Sequence, residues 1–482
     1  MRRRRRPVRL GAGLLVLLAL PACATVGEDF VSPANRTAPG GYAMAGEQPA
    51  PRAVYEAAAA KGPWWSGFGS AELDQVIRQS LEVSPGLEEA RATLERYQAA
   101  EAATRALMKP QIGINARTER QLFNSQAFGF TGFPNRTFSL FSIGGVVSYD
   151  LDPFGANRRY AEQAGARAEK ARRQADAAAL TLTANVARQA VRLAGLNGEI
   201  EAAELVISDD RRLLELALKA EKLGGLSRSG VLQIEAQLAR DEAQMPALLQ
   251  SRDEARHQLA LLAGKAPAEW TPPDFRLDQI STPAVVPVTL PSELVRRRPD
   301  ILAAEADLHA VTAAAGVVLA DRFPKLRLTG DFSQTSTEFD ALLDSGSKGW
   351  NLGGRFSLPI YDGGLRRANS RAAEAEIRAA DARYRATVLG AFTQVANLLS
   401  ALKADEVEVQ ALERAVSLAE RDASVTAAGV RLGGTPLLRA IDARRQLSLA
   451  RQELAEVRAR RLENLISLFA ATGADWQTAA DD

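Results

Sequence analysis

Few residues in this 482-residue chain are of the types that perform chemistry. It holds one cysteine and two histidines: Cys23, His257 and His309. A metal centre needs several His, Cys or carboxylate ligands at matched spacing, and each histidine stands alone on a helical pattern, which points to a surface or packing role. The glycine-rich stretches lack the strand, glycine loop and lysine order of a nucleotide site. No nucleophile stands with a base and an orienting group. These absences point to a protein that is not an enzyme and holds no metal or cofactor.

Cys23 has a different chemistry available to it. Arg2 to Arg6 with Arg9 form a basic region, Leu10 to Leu20 a short apolar one, and Leu20-Pro21-Ala22-Cys23 closes it. Eleven apolar residues are too few to span a bilayer, so the stretch reads as a secretory signal. It resembles a bacterial lipoprotein signal, which implies a covalent lipid on Cys23 as the first mature residue. Ala24 follows it, without the aspartate associated with inner-membrane retention. A lone cysteine also excludes an intramolecular disulfide. One acyl chain binds a membrane only marginally, so stable anchoring needs several chains or a second membrane element. The formal charge of +2 includes six arginines within residues 1–22; without them 54 basic residues face 58 acidic ones. That balance lacks the basic excess of a nucleic-acid-binding protein.

The other charged residues that attract attention surround two sharp turns. One is Lys222-Leu223-Gly224-Gly225-Leu226-Ser227, and the other is Arg431-Leu432-Gly433-Gly434-Thr435-Pro436, followed by Arg439 and Asp442. A glycine pair after a basic residue and Leu ends a helix, and Ser or Thr before a new apolar rhythm begins the next. Each turn therefore joins two antiparallel helices, and the two have matched surroundings. Pro85 and Pro299 lie 214 apart, as do Pro110 and Pro324, while Gly224 and Gly433 lie 209 apart, as do Gly264 and Gly473. Such offsets mark an internal duplication.

Each copy carries the same order of elements. A helical pattern from Pro85 to Met108 stops at Pro110, and one from Ile301 to Phe323 stops at Pro324. Alternating, strand-like runs follow at 111–122 and 138–150 in the first copy and at 326–335 and 349–358 in the second. Their lengths are near what a tilted strand needs to cross a bilayer, although a β-layer on a soluble core has the same pattern. Four strands per chain cannot close into a barrel, and an open edge in hydrocarbon leaves backbone groups unsatisfied, so a membrane location forces assembly. Very long helices then run from about Gly155 to Leu223 and from about Gly363 to Leu432. Three-four apolar steps through Leu182, Val186, Leu193, Leu196, Ile200, Ile207, Leu214 and Leu218, and through Val388, Phe392, Val395, Leu399, Leu402, Val409, Leu412 and Val416, predict coiled-coil packing. Return helices span about Ser229 to Leu262, where Pro246 predicts a kink, and Pro436 to Ala471. Trp64 and Trp65 read as core anchors.

The order of these features resembles the outer-membrane efflux factor family of TolC-like channels, in the lipoprotein branch that serves RND-type efflux systems. The likeness rests on Cys23-Ala24-Thr25-Val26-Gly27, Trp64-Trp65 with Phe68, the prolines at helix-to-strand junctions, Gly155 and Gly363-Gly364 at strand exits, and Arg431 to Asp442. It implies an α+β membrane protein: a homotrimer whose four strands per protomer make a twelve-stranded barrel, continuous with a long helical coiled-coil barrel. It further implies a periplasmic adaptor and an inner-membrane transporter as partners, and closure at the glycine turns. The chain then divides into a signal (1–22), a lipidated extended tether (23–62), an equatorial segment (63–84), repeat 1 (85–270), a linker (271–298), repeat 2 (299–476) and a tail (477–482). The implied function is a passive outer-membrane conduit for small molecules in a tripartite efflux pump. A conduit for type I protein secretion uses the same architecture, and a lipid-anchored periplasmic coiled-coil scaffold is the reading from a different class. The expected gate residues are Lys222, Gly224, Gly225, Arg431, Gly433, Gly434, Thr435, Arg439 and Asp442. Related channels carry further acids near Thr435 and Arg439, so cross-helix ion pairs among Lys222, Arg431, Arg439 and Asp442 are expected in place of an acidic ring.

Overall fold

The computed structural model describes residues 25–33, 41–42, 44, 63–124, 127, 129, 132, 134–283 and 291–473, with the side chains of residues 292 and 437 left aside. The predicted signal, Cys23, most of the tether and residues 474–482 lie outside the described part. Two compact units emerge, one from residues up to 32 with 94–171 and 304–384, the other from 33–93, 172–303 and 385–482.

The helices are α1 (Ala71–Val83), α2 (Pro85–Ala106), α3 (Ala156–Lys222), α4 (Arg228–Leu262), α5 (Pro291–Arg297), α6 (Pro299–Ala320), α7 (Leu365–Arg431) and α8 (Leu437–Ala471), and the strands are β1 (Gln111–Phe123), β2 (Arg136–Leu151), β3 (Lys325–Ser336) and β4 (Lys348–Ser357). The duplication is visible in element lengths: α2 and α6 each have 22 residues, α3 and α7 each 67, α4 and α8 each 35. At the standard rise, 67 residues make a helix about 100 Å long. The starts of the long helices repeat as well. Asp152 accepts the Arg158 N–H at 3.0 Å, and Asp362 accepts those of Gly364 and Arg366 at 3.0 and 3.1 Å, which satisfies donors that a first turn leaves open. In α4 the chain stays helical through Pro246.

In the first unit the four strands form one antiparallel sheet in the order β1-β2-β3-β4. β2 begins two residues before the run read from the sequence, and β4 is displaced by one, because its ladder with β3 runs from Lys348 opposite Gln334 to Ser357 opposite Lys325 and stops short of Leu358. The register sorts the residues by chemistry. Ile112 lies opposite Val147, Val147 opposite Gly330 and Gly330 opposite Leu352; Phe332 lies opposite Trp350 and Leu326 opposite Phe356. These residues share one face. It stands open, with Ile112, Trp350 and Leu352 each more than three quarters exposed. The opposite face carries Asn115, Arg117, Ser148, Asp150, Arg327, Asp331, Asn351 and Arg355, and Asp150 accepts from Arg327 across its own register pair at 2.6 Å.

The second unit has a conventional core. Trp64, Trp65, Phe68, Leu73 and Ile77 pack with Val186, Val191, Leu259, Ile466 and Phe469. Trp64 donates to Thr183 Oγ1 at 3.3 Å and stacks on Phe469, and Trp65 donates to Asp74 at 2.7 Å, so each indole nitrogen keeps a partner while its ring is buried. Toward the turns the helices pair through thinner seams: Ala217 with Val231 and Ile234, and Val409 with Leu454 and Val457. All sixteen apolar positions singled out in the long helices are buried or half-buried.

Candidate functional site

Both glycine turns lie in the second unit and are built alike. Gly224 and Gly433 adopt φ of +74° and +71°, a left-handed backbone that glycine reaches without a Cβ clash. The following N–H reaches back over a full turn, Gly225 to Ala220 at 2.8 Å and Gly434 to Gly429 at 2.9 Å, while Gly224 and Gly433 donate to Glu221 and Val430. This paired pattern satisfies the carbonyls that a helix end leaves free. Leu223 and Leu432, just before the glycines, are 88% and 87% exposed. The restarts differ. Ser227 caps α4 by accepting from Gly230, but Pro436 occupies the cap position of α8 and Thr435 makes no cap bond. Thr435 instead sits against Gly429, where any Cβ would collide with its side chain.

The expected ion pairs are rearranged. Arg439 donates to Asp422 on α7 at 2.9 Å and to Asp442 on its own helix at 3.3 Å, and all three side chains are roughly half exposed. The cross-helix partner of Arg439 is therefore Asp422; Asp442 supports it from one turn along. Lys222 and Arg431 enter no ion pair among the described residues, where Arg228 and Glu221 make the bridge at the first turn, 3.8 Å apart. A carboxylate two turns back on the outgoing helix has no signal at the turn itself, which is why Asp422 was not expected.

Deeper in the same helices lies a charged cluster that the sequence reading did not single out. Asp210 on α3 is 3% exposed and Asp241 on α4 is 8% exposed. Arg445 on α8 donates to Asp241 at 3.3 Å, Gln237 donates to its other oxygen at 2.9 Å, and the neighbouring Arg444 donates to Asp209 at 3.1 Å. Burial, and then the hydrogen bond and charge of Asp241, push the Asp210 carboxyl up to about 7. A sequence signal existed: Asp210 falls in the three-four step between Ile207 and Leu214, where an apolar residue belongs.

In the first unit, Arg159 is 3% exposed on its side chain and gathers the start of the described chain. It donates to the carbonyls of Val26 and Gly27 at 3.1 and 2.9 Å, and to Asp29 and Glu162 at 2.8 and 2.7 Å. Phe30 stacks on His309 at 4.4 Å, and His309 Nε2 lies 2.9 Å from Glu162. His309 thus has a packing role, and the segment that follows Cys23 is fastened where the long helix begins.

The outer membrane efflux protein family matches residues 76–265 and 290–474, the two halves of the duplication. The chain belongs to this family. Among its relatives, the outer membrane protein OprJ of Pseudomonas aeruginosa is 27% identical over 98% of this chain and 97% of its own length. The pyoverdine export outer membrane protein OpmQ of Pseudomonas putida is 29% identical over 86% of this chain and 88% of its own. The solved outer-membrane channel OprN superposes with a TM-score of 0.85 at 26% identity, covering 94% of this chain and all of that one. An outer membrane efflux protein therefore presents the apolar sheet face, the long paired helices and the two glycine turns described above.

Proposed function

We propose that three copies of this chain close their sheets into a twelve-stranded barrel in the outer membrane, continuous with a helical tunnel reaching into the periplasm. The assembly is the passive outer-membrane channel of a tripartite efflux system, carrying small molecules delivered by an inner-membrane transporter and handed on by a periplasmic adaptor. The observation that carries this reading is the sheet. Its apolar face is bare and, among the described residues, both its edges, β1 and β4, are unpaired, a combination that only closure with further strands makes compatible with hydrocarbon. Twelve strands from three copies leave no edge, and polar residues such as Asp150, Arg327 and Arg355 then line the inside. A covalent lipid on Cys23 adds an anchor beside the barrel.

The glycine turns are the regulated end. The exposed Leu223 and Leu432 offer an adaptor apolar contacts, and the Arg439 bridge to Asp422 and Asp442 holds each second hairpin in its resting form. Energy comes from the transporter, so the conduit needs no fuel site of its own. The test is reconstitution of the purified protein in planar bilayers. Trimers by native mass and an ion conductance that rises in an Asp422→Ala, Asp442→Ala double variant are the expected results; silence from both wild type and variant overturns the channel reading.

A further inference from the structure

The Asp210, Asp241 and Arg445 cluster does something the exposed bridges cannot. It joins three helices, α3 and α4 of the first hairpin and α8 of the second, roughly two to four helical turns from the glycine ends. Arg445, its side chain 27% exposed, donates to Asp241, and the buried Asp210 carboxyl stands beside that pair. Asp210 Oδ2 and Arg445 Nε are buried, with no hydrogen-bond partner among the described residues. Fully ionised, the cluster carries an uncompensated negative charge in a low-dielectric place, with Asp209 adding to it from the same helix. With one proton shared between the carboxyls, Asp241 keeps a single charge opposite Arg445 and the cluster is neutral. Arg444 is engaged by Asp209, and Gln237 adds a hydrogen bond to Asp241 without charge. The charged groups facing the pair are thus Asp209 from α3 and Arg445 and Arg444 from α8, and they leave the second carboxylate unmatched.

We propose that Asp210 and Asp241 form a proton-operated latch: the proton they share fastens the second hairpin to the first, and its loss releases α8. The direction follows from linkage. A carboxyl whose value in the packed state lies near 7, against an ordinary 3.8, binds its proton more tightly when packed than when pulled apart. The packing it contributes is therefore complete at acid pH and is lost as pH rises through about 7. The equilibrium for release grows by up to about tenfold per pH unit between these values and levels off above the upper one. This setting places the helices tight in acid surroundings and free to separate in neutral or alkaline ones. An outer-membrane conduit with such a latch closes against acid stress.

The latch rests on the channel reading only for its consequence, and the test separates the two. Hydrogen exchange of the purified full-length protein is followed for the α8 peptide containing Arg444 and Arg445 and the α3 peptide containing Asp210. Measurements at pH 5.5 and pH 8 are corrected for intrinsic exchange. In the wild type both peptides become at least tenfold less protected at the higher pH. Asp210→Asn, which donates to Asp241 without titrating, keeps them protected at both. Asp210→Ser, which cannot titrate either, serves in the same way if the first variant fails to fold, and Asp422→Asn, changed at an exposed bridge, retains the wild-type response. A wild type without the pH effect, or an effect that survives the change at Asp210, overturns the latch. A working latch in a protein that never conducts overturns the conduit instead.

Discussion

At the scale of residues, the exposed and the buried charges divide the work. Arg439 holds Asp422 and Asp442 in water, where an ion pair contributes up to about 1 kcal/mol. Three copies in the proposed trimer reach about 3 kcal/mol, on the order of a hundredfold in an opening equilibrium. Arg439→Glu sets three acids against one another at each hairpin. We expect single-channel recordings to show a higher open probability for it than for the wild type, by no more than that factor. The difference should shrink in high salt, since exposed charges are screened. Equal open probabilities in dilute buffer would leave the bridge without a role. Arg159, by contrast, is buried and makes three hydrogen bonds to the segment Val26 to Asp29 and a fourth to Glu162 on its own helix, so its contribution is fixed by geometry more than by ionic strength.

At the scale of elements, the sheet and the hairpins follow different rules. The sheet has two faces of opposite chemistry one residue apart along each strand, and this sets a paired prediction. Leu352→Arg puts a guanidinium on the bare apolar face, which costs about 2 to 4 kcal/mol near the middle of a bilayer. Asn351→Arg puts the same group on the polar face at little cost. Band-shift electrophoresis after refolding into lipid should show a loss of folded protein for the first and near-normal folding for the second; equal folding of the two would argue for a soluble β-layer. The hairpins depend on narrow seams, such as Val409 with Leu454 and Val457, in place of a broad core. Helices tied by so few apolar contacts are suited to small relative movements governed by polar groups, which is where both the Arg439 bridge and the Asp210 cluster act.

At the scale of the whole molecule, membrane attachment has two independent sources, the proposed lipid on Cys23 and the proposed barrel. Lipid alone anchors weakly unless several chains are present. Cys23→Ser should therefore leave the protein in the outer-membrane fraction, extractable only by detergent, with its trimer intact. Release of that variant by carbonate or salt would show that the lipid was the sole anchor and that the strands do not span. The paired helices of the two repeats are equal in length, so the proposed trimer presents six hairpins of matched size. The repeats depart from one another at the turns, where Arg439 has its bridge in the second and Arg228 with Glu221 makes only a long contact in the first.

The sequence by itself determined the order of elements, the duplication and both glycine turns, because each is written in local chemistry: prolines that stop helices, alternation that makes strands, and a left-handed residue that must be glycine. It also marked Cys23 as the residue proposed here to carry a lipid. Only the tertiary structure decided which partners meet. Asp422 is seventeen residues from Arg439 along the chain, Asp210 lies thirty-one from Asp241, and Arg445 more than two hundred from either, so no local pattern links them. Strand register likewise needed the fold, since pairing β2 with β3 joins residues of the two repeats and gathers Val147, Phe332 and Leu352 onto one bare face. Periodicity states which residues share a side of an element. Packing alone states what that side faces, and therefore whether an aspartate in an apolar step is a flaw in a seam or a group that holds a proton.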